Sequence, residues 1–232
     1  MFRRNVLFLT LVVFSLSGTL YAEEESLHLR TNNAFSFALG YHWYRESNAV
    51  IYWHMNEKDY DSFVPALAYE RKISKRIGIE VSVGHFRAKE TYPYGSGYVW
   101  PSIKNLYVSP SVKFYLPGGD TFVFYVGAGP DYYYTAWDLE YRTTGLYYKS
   151  AENFSTFGAH GLAGVDWYVY KHPEKHGYYR APVSLFGECR YTLLDVADVD
   201  IKAVNAGFGT PGIGHHLEVG GPMLSIGLRW HW

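Results

Sequence analysis

The chain is 232 residues long, with 48% hydrophobic and 19% charged positions, a formal net charge of -1 and one cysteine, Cys189. A charge near zero with no Lys/Arg run longer than two residues excludes the electrostatic footprint of nucleic-acid binding, and an aromatic content of 19% excludes a disordered chain. A lone cysteine excludes an intrachain disulfide, and beyond the N-terminus no stretch reaches the roughly 18 consecutive apolar residues of a spanning helix.

The first element in chain order is an export signal. Arg3 and Arg4 supply a positive start, Val6 to Phe14 an apolar run, and Ser15 to Ala22 a small-residue stretch before the acidic Glu23, Glu24 and Glu25. This pattern is a secretory signal peptide over residues 1–22, cleaved after Ala22. Residues 23–33 follow as a short periplasmic segment.

From residue 34 onward the hydrophobic period is two. Ala34 to Tyr44 sets Phe35, Phe37, Leu39, Tyr41 and Trp43 against Ala34, Ser36, Ala38, Gly40 and His42. Phe63 to Arg71 sets Leu67 and Tyr69 against Ala66, Ala68 and Glu70, and Ile77 to Phe86 sets Ile77, Ile79, Val81 and Val83 against Gly78, Glu80, Ser82 and Gly84. Leu106 to Leu116 places Val108, Val112 and Phe114 opposite Ser109, Ser111 and Lys113, and Phe122 to Tyr134 places Phe124, Val126 and Tyr132 opposite Gly127, Gly129 and Asp131. Phe157 to Val169, Val183 to Leu193 and Leu224 to Trp232 complete a set of eight predicted strands.

Alternation alone serves a soluble sandwich and a membrane barrel equally. The apolar side decides, because its aromatics, among them Tyr41, Trp43, Tyr132, Tyr134, Trp167, Trp230 and Trp232, cluster at strand ends as interfacial girdles do. The opposite side is rich in Gly, Ala and Ser, which suits a narrow lumen. Connections alternate in length: Lys72 to Arg76, Pro117 to Asp120 and Tyr170 to Pro182 are the shorter set, against Arg45 to Ser62, Arg87 to Asn105, Thr135 to Phe154 and Leu194 to His216. The expected fold is therefore all-β: an eight-stranded antiparallel transmembrane β-barrel over residues 34–232, with short periplasmic turns, long extracellular loops and a place in the bacterial outer membrane.

Two segments carry a family resemblance. Ser225-Ile226-Gly227-Leu228-Arg229-Trp230-His231-Trp232 resembles the C-terminal assembly signal of outer-membrane barrels, with Gly227, Trp230 and Trp232 at its marked positions. Ser109-Pro110-Ser111-Val112-Lys113-Phe114-Tyr115, with Tyr125-Val126-Gly127-Ala128-Gly129-Pro130, resembles the fourth and fifth strands of the OmpW family and of related small barrels. The resemblance implies recognition by the barrel-assembly machinery and binding of small hydrophobic molecules in a barrel closed toward the periplasm, and a barrel in the outer membrane is expected to contact outer-membrane lipid and lipopolysaccharide.

Strand parity sends two groups into the lumen. Glu70, Glu80, Lys113, Asp166 and Arg229 fall in its lower part, with Glu188 and Arg190 near mid-height. Mixed signs at similar depth point to a salt-bridged core or an ion-selective constriction. Above them lie Val64, Phe86, Tyr107, Tyr133 and Leu162 with His42, Asp131 and His160 as polar points, an apolar cup suited to a small hydrophobic ligand or to simple space-filling. Pro65, Pro110, Pro130 and Pro222 take outward positions, each removing a ladder N–H, and so mark either strand ends or a sideways opening.

Other groupings are weaker. Asp195, Asp198 and Asp200 lack calcium-loop spacing, and the imidazoles of His172, His176, His215 and His216 lack further ligands, so no metal or cofactor is expected. A lipid A-modifying enzyme needs a nucleophile and base, and His160 with Glu188 on neighbouring strands is a candidate dyad, without a well-placed inward serine. Tyr92, Tyr94, Tyr98, Trp100, Tyr141, Tyr147 and Tyr148 in the long connections suit a structural or adhesive role. The leading expectation is a non-enzymatic barrel that assists passage of small hydrophobic molecules, with adhesion as the alternative.

Overall fold

The computed structural model describes residues 32–43, 62–89, 91–94, 96–116, 121–170, 182–193, 195–199, 215–218 and 220–232. The predicted signal peptide, residues 23–31 and the His172–His176 stretch lie outside them. The elements are β1 (Asn33–His42), β2 (Ser62–Lys72), β3 (Ile77–Lys89), β4 (Tyr92–Tyr94), β5 (Gly97–Tyr115), β6 (Phe122–Thr143), β7 (Leu146–Tyr170), β8 (Val183–Leu193), β9 (Asp195–Val199), β10 (His215–Glu218) and β11 (Gly221–His231).

Eight of these, β1, β2, β3, β5, β6, β7, β8 and β11, pair antiparallel in sequence order, and β11 returns to β1, so the sheet closes. The closure is sealed at the chain end, where Asn33 and Trp232 exchange backbone hydrogen bonds of 2.9 Å in both directions. One row of facing residues runs from His231 through Ala34, Glu70, Glu80, Ser111, Gly129, His160 and Thr192, with the Ser111–Gly129 step carried across a gap in the β5–β6 pairing by the register on either side, and returns to β11 at Gly221, ten residues from its start. That stagger requires strongly tilted strands and fixes the bore at a width that side chains can fill.

The outer face is a continuous apolar band. Phe37, Leu67, Ile79, Phe114, Phe124, Trp167, Leu185 and Ile226, from eight different strands, are all exposed, Ile226 at 69% and Phe124 at 51%. Such a girdle exceeds any apolar patch that a water-soluble surface carries, and requires hydrocarbon around it. Inward positions of the same strands are buried, so the predicted alternation is the alternation observed.

The predicted strand ends need correction on one side. The alternation marks 106–116, 122–134 and 157–169, but β5, β6 and β7 are 19, 22 and 25 residues long. The supposed loop Thr135 to Phe154 is mostly a continuous hairpin, paired from Thr135↔Phe154 to Thr143↔Leu146, and turning at Thr144 and Gly145. Gly145 adopts φ +94°, a left-handed conformation that glycine enters without a Cβ penalty. A tilted strand crosses the hydrocarbon with about 9–11 residues, so this wall stands well above the membrane, with β4 added at the edge of β5.

Candidate functional site: a plugged lumen with an unlatched seam

The lower lumen is one ionic network. Glu70 and Glu80 are directly opposite each other on β2 and β3, and adjacent like charges repel. Lys113 on β5 resolves this, with Nζ 2.5 Å from Glu80, 3.4 Å from Glu188 and 4.0 Å from Glu70. Arg229 on β11 crosses to Asp166 on β7 at 2.7 Å and to Glu80 at 3.4 Å, its guanidinium resting on the Phe186 ring at 4.5 Å. Arg190 donates to Glu188 at 3.3 Å and to the Ser82 hydroxyl. All seven predicted lumen charges are buried, and Lys113 has no exposed surface.

Two tyrosines complete the network. Tyr115 donates from its hydroxyl to Glu70, and Tyr125 to Glu188 at 3.1 Å, while Lys113 lies 4.5 Å from the Tyr125 ring centroid. Both occupy inward positions in their strands, and parity alone was the signal for them. Ser184 bonds to Asp166 and to His231 Nε2 beneath. The charges come from β2, β3, β5, β7, β8 and β11, so the network spans the whole bore.

The upper lumen is filled mainly by rings. His42 stacks on Phe86 at 5.6 Å, Tyr107 meets Tyr133 at 5.6 Å, and Val64 is 1% exposed. Between the two halves lies a cavity of about 30 Å³ touching Val64, Glu80, Tyr107, Phe186 and Arg190, enough for about one water molecule. Leu162 is a correction: it shares a row with Lys113 through Gly127, and its side chain packs with Tyr115, Val123, Tyr125 and Tyr168 rather than in the upper cup.

The His160–Glu188 pairing considered from sequence is also not made. Glu188 is engaged by Lys113, Arg190 and Tyr125, whereas His160 Nδ1 bonds Asp131 Oδ1 at 2.8 Å and its Nε2 bonds Ser111 Oγ at 2.8 Å. Ser109 donates to the same Asp131 oxygen. His160, Gly129 and Ser111 lie in one row on β7, β6 and β5, so the ring reaches Ser111 across a residue without a side chain. Ser111 was missed in the sequence because that row depends on register, which alternation does not supply.

The wall beside this cluster is interrupted. Pairing of β5 with β6 stops at Val108↔Tyr132 and resumes at Val112↔Ala128, which places Pro110 directly opposite Pro130. Neither proline has an N–H to donate, so the ladder loses its bonds there. The backbones nevertheless stay close: a Cβ on Gly129 would lie 1.9 Å from the Pro110 carbonyl oxygen. The wall is closed but unlatched. Pro65 and Pro222, by contrast, remain within paired ladder.

At the periplasmic end Trp230 and Trp232 are exposed on the outer face, and Trp232 packs near Tyr69 at 6.4 Å. Gly227 is required by space, because a Cβ there would lie 2.2 Å from the Phe37 carbonyl and 2.6 Å from the Phe186 ring. Asp195 and Asp198 fall in β9, and His215 and His216 in β10; Asp200 is outside the described residues. Among the described residues no group of three His, Cys, Asp or Glu stands together as a metal site. Cys189 is exposed on the outer face.

This architecture is that of the small outer-membrane β-barrels. The outer membrane protein OprG from Pseudomonas aeruginosa superposes with a TM-score of 0.56 at 12% identity, over 87% of this chain and 96% of that one. Neisserial surface protein A matches at 0.48 and 15% over 86% and 97%, and Ail, the attachment invasion locus protein of Yersinia pestis, at 0.47 and 12% over 87% and 99%. No protein-family profile and no curated protein sequence matches the chain. The likeness to OprG establishes the fold class, an eight-stranded barrel of the outer-membrane type, and at this identity its reach ends with the fold.

Proposed function

We propose that the protein resides in a bacterial outer membrane and assists small hydrophobic molecules across its outer leaflet, leaving the barrel sideways through the seam between β5 and β6, in the manner the OmpW resemblance implies. The observation that carries this reading is the opposed pair Pro110 and Pro130. A straight path is blocked, because the Lys113–Glu80–Arg229–Asp166 network fills the lower bore. A lateral path at the prolines breaks no interstrand N–H···O bond, whereas parting two ordinary strands in hydrocarbon exposes backbone groups at several kcal/mol each.

The test is flux of an apolar fluorescent dye into vesicles containing the refolded mature protein. Pro110→Ala with Pro130→Ala restores both donors and is expected to reduce flux toward the protein-free value. Unchanged flux from folded variant rejects the route.

A second reading, adhesion, is favoured by the raised β5–β7 wall, where Tyr98 and Tyr147 are both 54% exposed and Arg142 lies 5.4 Å from the Tyr147 ring centroid. Shortening the hairpin symmetrically between 138 and 151 is expected to leave dye flux intact. Loss of cell-surface attachment in that variant would favour the adhesive reading.

A further inference from the structure

We infer that Ser111, His160 and Asp131 form a nucleophilic triad inside the barrel, and that its reaction is hydrolysis of an ester of an apolar carboxylic acid. The order of atoms is the one such chemistry needs. Asp131 Oδ1 accepts from His160 Nδ1–H at 2.8 Å, which fixes the tautomer and leaves Nε2 as the acceptor for the Ser111 hydroxyl at 2.8 Å. Ser109 Oγ holds the same carboxylate from the other side. The three groups are buried, Asp131 at 1%, Ser111 at 2% and His160 at 4% exposure, so the ring has one orientation.

The fold builds this cluster from three strands. His160 and Ser111 flank Gly129 in a single row, and Asp131 stands two residues along β6 on the same inner face. The seam at Pro110 and Pro130 adjoins both the nucleophile and the carboxylate in sequence. An acyl chain in the bilayer therefore has its shortest way to Ser111 Oγ through the unlatched part of the wall. Tyr107, Tyr133 and Val64 offer an apolar surround, while the charge network below is already paired.

The chemistry balances with water as the only co-reactant. Ser111 Oγ attacks the ester carbonyl carbon while its proton passes to His160 Nε2. The Asp131 carboxylate stabilises the imidazolium that results. Arg190 is held through its terminal nitrogens by Glu188 and Ser82, and among the described residues its Nε has no hydrogen-bond partner, which leaves one cationic N–H of the inner wall for the oxyanion. The C–O bond to the alcohol breaks, the alcohol takes the proton from His160, and an acyl-Ser111 ester remains. Water, deprotonated by His160, attacks that ester, releasing the carboxylic acid and restoring the Ser111 hydroxyl.

The experiment begins with the unaltered mature protein, refolded in detergent and in phospholipid vesicles, with folding checked by the mobility difference between heated and unheated samples. An alkyl fluorophosphonate is added, and adducts are mapped by peptide mass spectrometry. The expected result is one adduct, on Ser111, formed only by folded protein. His160→Gln is expected to slow labelling by roughly a hundredfold or more, and Asp131→Asn to slow it with partial recovery in Asp131→Glu, as befits a positioning residue. Turnover is then read with a medium-chain p-nitrophenyl ester and, separately, as fatty acid released from the vesicle phospholipid. Release from the soluble ester alone points to small esters entering by the lumen, and release from phospholipid points to membrane lipid entering by the seam. No adduct on folded wild type, or an adduct without turnover of either ester, overturns the inference. Because dye flux is measured independently, this failure would leave the lateral route standing.

Discussion

The lower and upper halves of the lumen solve the same packing problem in opposite ways. Below, charges from six strands meet, and each of Lys113, Arg190 and Arg229 has a carboxylate within 3.4 Å. Above, rings stack on rings, buried polar groups meet in small sets such as Ser111–His160–Asp131 and Thr135–Asn105, and the adjacent wall lacks ladder bonds at Pro110 and Pro130. A buried ionic network resists rearrangement because each partner left alone is a desolvated charge. Aromatic packing has no such penalty, so under the proposed function the ionic half near the chain termini is the rigid part and the half beside Pro110 and Pro130 is where the lateral route would open.

Breaking the lower half should have the largest effect. Arg229→Ala strands Asp166 and leaves Glu80 with Lys113 alone, and removes the cation resting on Phe186. A loss of about 3–5 kcal/mol is expected, read as a fall in the denaturant midpoint of the folded barrel in detergent. Asp166→Ala on the same background should recover part of it, since the two residues share one interaction. An unchanged midpoint in Arg229→Ala would mean that the network does not hold the barrel, and would reopen an ion-conducting reading of the lower bore.

A smaller effect is expected at the seam. Gly129→Ala puts a methyl group where the Pro110 carbonyl oxygen now lies, 1.9 Å away, so the strands must separate locally at a cost of about 1–3 kcal/mol. Dye flux should rise even as stability falls. Pro110→Ala with Pro130→Ala should act in the reverse direction, gaining about 1 kcal/mol per restored hydrogen bond. Slow amide exchange at the two new N–H groups would show that the ladder has closed. Opposite changes in flux from these two variants would tie passage to the seam, and parallel changes would break the contrast between the halves.

Which parts of this were legible in the sequence follows from what the bilayer enforces. Within the hydrocarbon one face of every strand must be apolar, so parity placed Glu70, Lys113, Asp166 and Arg229 in the lumen without knowledge of pairing. Above it water touches both faces, and polar residues such as Asp138, Glu140, Arg142 and Lys149 erase the alternation. The sequence of the raised hairpin therefore reads as a loop, with the Thr144–Gly145 turn as its local signal. Register was invisible for a different reason. It decides that His160 faces Ser111 and not Glu188, and that Leu162 belongs with Tyr115 and Tyr125, yet it emerges only when all eight strands close with one common stagger.

The smallest effect is expected on the raised wall, where the chemistry of the lower lumen recurs in water. Glu140 on β6 accepts from Lys149 on β7 at 3.0 Å, directly across the hairpin, with both side chains substantially exposed. The hydrogen bond from Lys149 holds the Glu140 carboxyl below its ordinary 4.5, and the same bond holds the Lys149 ammonium above its ordinary 10.5. A depressed carboxyl contributes above its unfolded value, and that contribution is lost as pH falls through the folded one. A raised ammonium contributes below its unfolded value, and loses that as pH rises through the folded one. The pair therefore favours the hairpin across the neutral range and is released at both extremes. An NMR titration should give Glu140 a midpoint below 4.5 that returns upward in Lys149→Ala, with the barrel's denaturant midpoint unmoved. Lys113→Ala removes the same kind of contact, at 2.5 Å but fully buried, and should lower that midpoint, because burial converts a screened pair into a charge that cannot be left alone.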